Sequence, residues 1–386
     1  MEYQFPHICH INDVLPAIEG RKEFVVAERD HYIVVNYVVA MEDTFPPVDS
    51  NQDAIRRELR GIIFDKEGNL LARRLHKFFN VNEREETLVR NVDFSKPHVI
   101  LEKLDGSMIT PIWMGDHFRW GTKMGVTEVA LGAEEFVATH PQYTQFATFC
   151  KNHGYTPIFE WCSRKQRIVV DYEVDRLVLV AVRKNESGYY LNYRWLQEYG
   201  GSMFELDLVK TYETDSIDRL IEETRGMEGV EGWIVRFDDG HMLKVKGEWY
   251  VRIHKTKDAL NQEKNIIDMI VNEKIDDVKA FMLDADRVRV EKFERAFWEG
   301  VDMTVATLEV TIKSIVNHMS RKEFALKEYP DMYPTHRSIV FSCWEGRSVR
   351  DEVLNIIKKN LGTQTKVDSV RHLWGNVNWG YGSIDE

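Results

Sequence analysis

The chain has 386 residues, enough for two domains with separate cores, and its 43% hydrophobic content suits a globular fold and argues against large-scale disorder. A formal net charge of −12 excludes a protein that coats nucleic acid by bulk attraction, because backbone binding needs locally concentrated Lys and Arg. The longest aliphatic stretch, Leu177 to Val182, is far short of a membrane span, and Met1 to Asn12 lacks the basic start and apolar core of a leader. A cytoplasmic protein without a membrane partner is expected. Cys9, Cys150, Cys162 and Cys343 stand singly, with no C-x-x-C pair and no finger-like spacing to histidine. Reduced thiols are therefore expected, with magnesium carried in by phosphates preferred to protein-held zinc.

From Glu23 to His254, short β runs with turn signals predominate: FVVAERD, YIVVNYVVA, RGIIFD, LLARRL, HVILEKL, MITPIWM, TPIFEW, QRIVV, RLVLVAV, EGWIVRF and HMLKVKG. Lys66-Glu67-Gly68-Asn69 and Asp238-Asp239-Gly240 read as hairpin connections. Helices are predicted at about 126–140, 142–153 and 216–225. After Lys257 the period changes. Val290, Phe293, Phe297, Val301, Val305, Leu308, Ile312 and Ile315 step by three or four, the spacing of one helix face. A further helix is predicted over 348–361, closed by Gly362 and followed by a tail rich in Gly, Asn and Trp. The expected class is α+β: an antiparallel-sheet domain over residues 1–256, then an all-helical C-terminal domain over 257–386. With no repeat or low-complexity linker, that boundary rests on the change of period.

Lys103-Leu104-Asp105-Gly106-Ser107 lies between two β runs, which puts the lysine where a strand meets a turn. Asp-Gly alone is an ordinary hairpin signal, and K-x-D-G-S arises by chance in about one chain in a hundred of this length. A lysine nucleophile needs a neutral amine and hence nearby cations, desolvation or a metal. In Leu243-Lys244-Val245-Lys246 the alternation sends both lysines to one strand face, a repulsion that an anion such as a triphosphate would relieve. Phe159-Glu160-Trp161 and Glu231-Gly232-Trp233-Ile234-Val235 each set one carboxylate within or beside an apolar strand, where it wants a partner. Such carboxylates suit a metal or sugar hydroxyls; a buried ion pair is the competing explanation. Basic stretches run from Arg60 to Lys77 and over Arg164, Lys165 and Arg167, and either could be solvated strand edges and turns.

In this order the elements K-x-D-G-S, F-E-W, E-G-W-I-V and L-K-V-K resemble the covalent nucleotidyltransferase superfamily of polynucleotide ligases and capping enzymes. Within it the chain is most similar to the phage RNA ligase 1 family. Glu58-Leu59-Arg60-Gly61-Ile62-Ile63-Phe64 and Lys77-Phe78-Phe79-Asn80 precede the lysine, and Lys246-Gly247-Glu248-Trp249-Tyr250-Val251 follows the last motif. The similarity covers about residues 59–254, and beyond His254 no motif of equal clarity is legible.

The resemblance implies an N-terminal nucleotidyltransferase domain and an ATP-dependent RNA ligase. ATP would be the co-substrate, with Mg²⁺, or Mn²⁺ in its place, as the metal. Lys103 would attack the α-phosphate and carry AMP, Lys244 and Lys246 would contact that phosphate, and Glu160 would hold the ribose. Glu231 would bind the divalent metal or the nucleophilic lysine. Arg60 and Lys77 would face the phosphates, Phe79 would pack near adenine, and Tyr250 would lie at the triphosphate. Lys123, in Gly121-Thr122-Lys123-Met124-Gly125, matches a further family lysine, and Tyr37 aligns loosely with a nucleotide-contacting tyrosine; a plain structural role for either is an equal alternative. The implied partner is single-stranded RNA with 5′-phosphate and 3′-hydroxyl ends, with single-stranded DNA a second candidate and a monomer expected. A DNA ligase or capping enzyme would usually continue into a small β-barrel, which the helical period after Lys257 disfavours. An inactive nucleic-acid-binding protein on the same scaffold would be expected to have lost its nucleophile or its lysines, yet here every central position is occupied.

Overall fold

The computed structural model describes residues 4–380 except 42, 280, 281, 283 and 331. The first residues of the Met1 to Asn12 opening and the last six of the Gly/Asn/Trp-rich tail lie outside them. The chain forms two compact units, Met1–Val251 and Arg252–Glu386. The first contains three sheets and the second is helical, so the expected α+β class is met. Among the described residues no helix is long and apolar enough to cross a membrane.

In the first unit one sheet pairs Phe24–Glu28, Ile33–Tyr37, Arg60–Phe64 and Leu70–Ala72 in chain order. A second runs Arg176–Lys184, Tyr155–Cys162, Ser107–Met114, His117–Gly121. A third runs Thr211–Tyr212, His98–Lys103, Gly232–Phe237, Met242–Lys246, Phe79–Asn80, antiparallel except for its last pair. Both predicted hairpins form, with Gly68 and Gly240 at φ +96° and +94°, the left-handed region that glycine enters without cost from a Cβ. Helices Glu128–Ala138, Pro141–Asn152 and Ile217–Arg225 occupy the predicted places.

Two readings need correction. QRIVV is not a strand: residues 166–170 form turns and bends, because the amides of Val169 and Val170 both donate to Asp105 Oδ2 at 2.7 Å instead of to a ladder. Helix Asn51–Glu58 was not anticipated, and its buried side includes Arg56, Arg57 and Glu58, so it carries little apolar periodicity to read.

Glu58 is fully buried between two fully buried arginines. Arg73 Nε donates to it at 2.9 Å, and Arg183 Nη1 and Nη2 donate at 2.8 and 3.0 Å. Burial works to raise the Glu58 pKa, but Arg183 and Arg73 outweigh it and hold the carboxyl at about 2. Arg73 also donates to the carbonyls of Pro6, Asn185 and Glu186, which fastens the N-terminal segment and the 185–186 loop to the sheet.

In the second unit helix Asp284–His318 buries the whole predicted face from Val290 to Ile315. A Cβ on Gly300 would meet the Trp374 carbonyl oxygen at 2.3 Å, so the helix admits the tail backbone only because that residue has no side chain. Trp374 itself is fully buried, making part of the tail a core element. Helix Val349–Lys359 lies within the predicted 348–361 span.

Replacing Glu58 by Gln leaves two buried guanidinium groups without their counter-charge and should cost about 3–5 kcal/mol in denaturant unfolding. Because the folded carboxyl titrates below its ordinary value of 4.5, its contribution is complete above that pH and is lost as pH falls toward about 2. A loss under about 1 kcal/mol in Glu58→Gln would contradict this.

Candidate active site

Lys103 closes strand His98–Lys103 of one sheet, and Ser107 opens strand Ser107–Met114 of another, where it pairs with Trp161. The K-x-D-G-S motif is therefore the crossing between two sheets. A Cβ at Gly106 would meet the Trp161 carbonyl oxygen at 2.4 Å, which requires glycine there. The buried Asp105 carboxylate accepts from the Val169 and Val170 amides and from the Tyr250 hydroxyl at 2.7 Å, while its own amide donates to the Tyr172 hydroxyl at 2.9 Å. Four polar contacts thus fix the turn that presents Lys103.

Cross-strand register aligns the lysines. Gly232 pairs with both Lys103 and Lys246, and Ile234 pairs with Leu101 and Lys244. Alternation then sends Lys103, Lys244 and Lys246 to one face, with a bare glycine between the outer two. Gly232 has φ +142°, and a Cβ there would lie 2.0 Å from the Val245 carbonyl oxygen. The buried Glu231 carboxylate balances this row: its Oε1 lies 2.7 Å from Lys103 Nζ and 2.9 Å from Lys246 Nζ. Lys244 makes no ion pair among the described residues. Burial first, then repulsion from Lys77, Arg60, Lys103 and Lys246, lowers its pKa to about 7. Glu160, partly covered, is pushed up to about 7, first by burial; Lys103 and Arg60 oppose the rise, whereas Glu231 and Asp105 add to it. These mutual influences put Arg60, Lys77, Lys103, Glu160, Glu231, Lys244 and Lys246 in one electrostatic cluster.

An aromatic layer adjoins the cluster. Lys77 Nζ lies 5.2 Å from the Tyr37 ring centroid and 5.4 Å from those of Phe45 and Phe79, and Lys123 Nζ lies 5.5 Å from Tyr37 on its own account. Gly61, at φ +82°, lets the Arg60 strand approach Lys123, whose carbonyl oxygen a Cβ would meet at 2.5 Å. Lys123 and Tyr37 therefore join the predicted group. Phe79 is buried in the core with Phe45, and Arg57 and Arg84 cover its ring. Tyr250 is buried too, its hydroxyl committed to Asp105 and its ring 5.2 Å from Lys246 Nζ.

The basic stretch Arg60 to Lys77 is split by its pleat and loop. Its ends belong to the cluster, but Arg73 and Arg74 are buried; Arg74 donates to Thr110 Oγ1 and the Gly121 carbonyl, and Lys66 pairs with Glu28 at 3.2 Å. The middle arginines are thus internal supports. Arg164 and Lys165 are exposed, and Arg167 pairs with Asp171 at 2.9 Å. Phe78, between Arg60 at 5.8 Å and Lys244 at 5.4 Å, was not singled out from sequence, though it stands inside K-F-F-N.

A family model described as RNA ligase matches residues 58–250, half of the chain. The chain belongs to the RNA ligase family. A second model, described as T4 RNA ligase 1, C-terminal domain, matches residues 257–366, so family likeness extends into the helical region where no motif was legible. A putative RNA ligase of Thermovibrio ammonificans is 30% identical over 279 residues, covering 70% of this chain and 71% of that protein. RNA ligase 1 of bacteriophage TS2126 is 25% identical over 236 residues, 58% of this chain but only 57% of the phage protein. Among solved structures, an archaeal ATP-dependent RNA ligase gives a TM-score of 0.42 at 13% identity, covering 64% of each chain. The resemblance to phage RNA ligases read from the motifs is met by the family match.

With Lys244 titrating near 7, an anion bound against it should raise its pKa and draw in a proton at about pH 8. Calorimetry of ATP binding to Lys103→Met, repeated in buffers of different ionisation enthalpy, should show uptake approaching one proton, largely lost in Lys103→Met/Lys244→Arg because arginine is already charged. Equal uptake in both would show that the proton does not go to Lys244.

Proposed function

We propose that this RNA ligase works through an adenylate on Lys103. The observation that carries the reading is the row Lys103, Gly232, Lys246 with Glu231 Oε1 within 2.9 Å of both ammonium groups. A lysine nucleophile must first lose a proton, and Glu231 Oε1 is an acceptor 2.7 Å away. Lys103 Nζ then bonds to the α-phosphorus of ATP, the bond to the bridging oxygen breaks, and pyrophosphate leaves. Lys244 and Lys246 neutralise the α-phosphate, Arg60 and Lys77 the outer phosphates, and Lys123 with Tyr37 would extend that cradle. Glu160 is assigned to the ribose, Phe79 to support of the adenine end, and Tyr250 to the floor beneath Lys246.

The alternative to the proton-accepting role is that Glu231, a buried carboxylate, would hold a divalent cation in place of its contact with Lys103. Mg²⁺, or Mn²⁺ in its place, would neutralise phosphate charge there. In the second step AMP passes from Lys103 to the 5′-phosphate of single-stranded RNA. In the third a 3′-hydroxyl attacks that phosphate, AMP departs, and a phosphodiester remains. Residues 1–256 supply the adenylyltransferase and 257–386 contribute to choosing the RNA, with single-stranded DNA a second candidate acceptor and a monomer the expected form.

Incubation with α-labelled ATP and Mg²⁺ should label the wild type covalently, excess pyrophosphate should remove the label, and Lys103→Ala should never acquire it. Protein pre-treated with pyrophosphate that still takes no label would overturn the reading. The turn bearing Arg164 and Arg167 is tied through Val169 and Val170 to Asp105, which supports a path for the 5′-phosphate end beside Lys103. Arg164→Glu/Arg167→Glu should slow sealing and flatten its salt dependence while leaving self-adenylylation near wild type; unchanged sealing would make these residues ordinary surface.

A further inference from the structure

Glu186 is far in sequence from His7 and Cys9, yet one donor atom from each of the three lies within 4.8 Å of the others. Ile8, between His7 and Cys9, is fully buried, whereas His7, Cys9 and Glu186 are all exposed, so the three side chains meet at the surface. The Ile8 amide donates to the Glu186 carbonyl at 3.2 Å, drawing the second segment alongside. His7 Nε2 lies 2.5 Å from Glu186 Oε1, and Cys9 Sγ lies 3.8 Å from His7 Nε2.

The backbone under these side chains is held from several sides. Arg73 donates to the carbonyls of Pro6, Asn185 and Glu186 and is itself fixed by Glu58. The Cys9 and His10 amides donate to Asp13 Oδ2 at 2.9 and 2.8 Å, and the Cys9 carbonyl accepts from the Leu70 amide at 2.8 Å. The donors therefore converge without the chain having to be ordered first, which lowers the cost of capturing an ion.

We propose that His7, Cys9 and Glu186 form a transition-metal site, with Zn²⁺ the ion their chemistry suits. Imidazole, thiolate and carboxylate form a borderline donor set, and a tetrahedral zinc with ordinary Zn–S and Zn–N bonds spaces sulfur and nitrogen at about 3.5 Å, close to the Cys9 to His7 separation. On binding, the Cys9 S–H bond breaks, its proton goes to solvent, and a metal–sulfur bond forms. The proton between His7 Nε2 and Glu186 Oε1 also passes to solvent, with Nδ1 carrying the one remaining ring proton, so that Nε2 and the carboxylate both turn to the ion. Water completes the coordination. The site would strap the N-terminal segment to the 185–186 loop and stands apart from the Lys103 cluster and its phosphate-borne cation.

Titration of the full chain with Co²⁺ under anaerobic conditions and excess Mg²⁺ tests this through the near-ultraviolet sulfur-to-cobalt band. The band should saturate at a single equivalent, disappear on adding Zn²⁺, be absent in Cys9→Ser, and need about tenfold or more Co²⁺ in His7→Ala and Glu186→Gln. Absence of the band in wild type, its persistence in Cys9→Ser, or unchanged affinity in both other variants would overturn the proposal. Because the readout is a thiolate band, cation binding at Glu231 does not contribute to it.

Discussion

Lys103, Lys244 and Lys246 share one face of a sheet with a single buried carboxylate, Glu231, between the outer two. Like charges brought together away from bulk water repel strongly, and the low pKa of Lys244 expresses its burial first and then repulsion from Lys77, Arg60, Lys103 and Lys246. Such a face is unfavourable in isolation and becomes favourable when it receives a polyanion. The surrounding structure can be understood as what holds the lysines in place despite their repulsion.

Two polar anchors do most of that holding. Asp105 ties the turn after Lys103 to the 166–170 loop and to Tyr250, so the turn carries almost none of the freedom usual for an Asp-Gly sequence. Glu58, with Arg73 and Arg183, joins helix Asn51–Glu58 to two sheets and to the N-terminal segment. Both are buried carboxylates whose acceptor capacity is used, the condition under which a buried charge can persist. Gly61, Gly106 and Gly232 complete the arrangement sterically, each where a Cβ would strike backbone from a neighbouring segment.

The helical unit follows a simpler rule. Its long helix buries a continuous apolar stripe, and Gly300 opens one place in that helix for the backbone at Trp374. Family likeness over residues 257–366 agrees with this periodic core, although the region lacks short motifs of reactive residues. A core tolerates many apolar choices at each position, so its family signal is spread over the whole stripe and escapes a reading based on motifs.

Resemblance of the motifs to a family named most of the residues around Lys103. The sequence's own patterns determined the fold class, the change from sheet to helix, the hairpins at Gly68 and Gly240, and the shared face of Lys244 and Lys246. These are local or periodic properties: alternation puts Lys244 and Lys246 on one face, and a 3.6-residue period marks the helix stripe. Tertiary structure alone decided where the remaining charges went. Arg73 and Arg74 read as part of a basic stretch and are internal, because Glu58, Thr110 and several distant carbonyls meet them there. QRIVV read as a strand and became a loop, because Asp105 takes its amides. Cys9 read as a single thiol, and Glu186 reaches it and His7 only across folded chain. In each case the deciding partner is remote in sequence, and no local propensity or spacing records which remote group will satisfy a buried charge or a free amide.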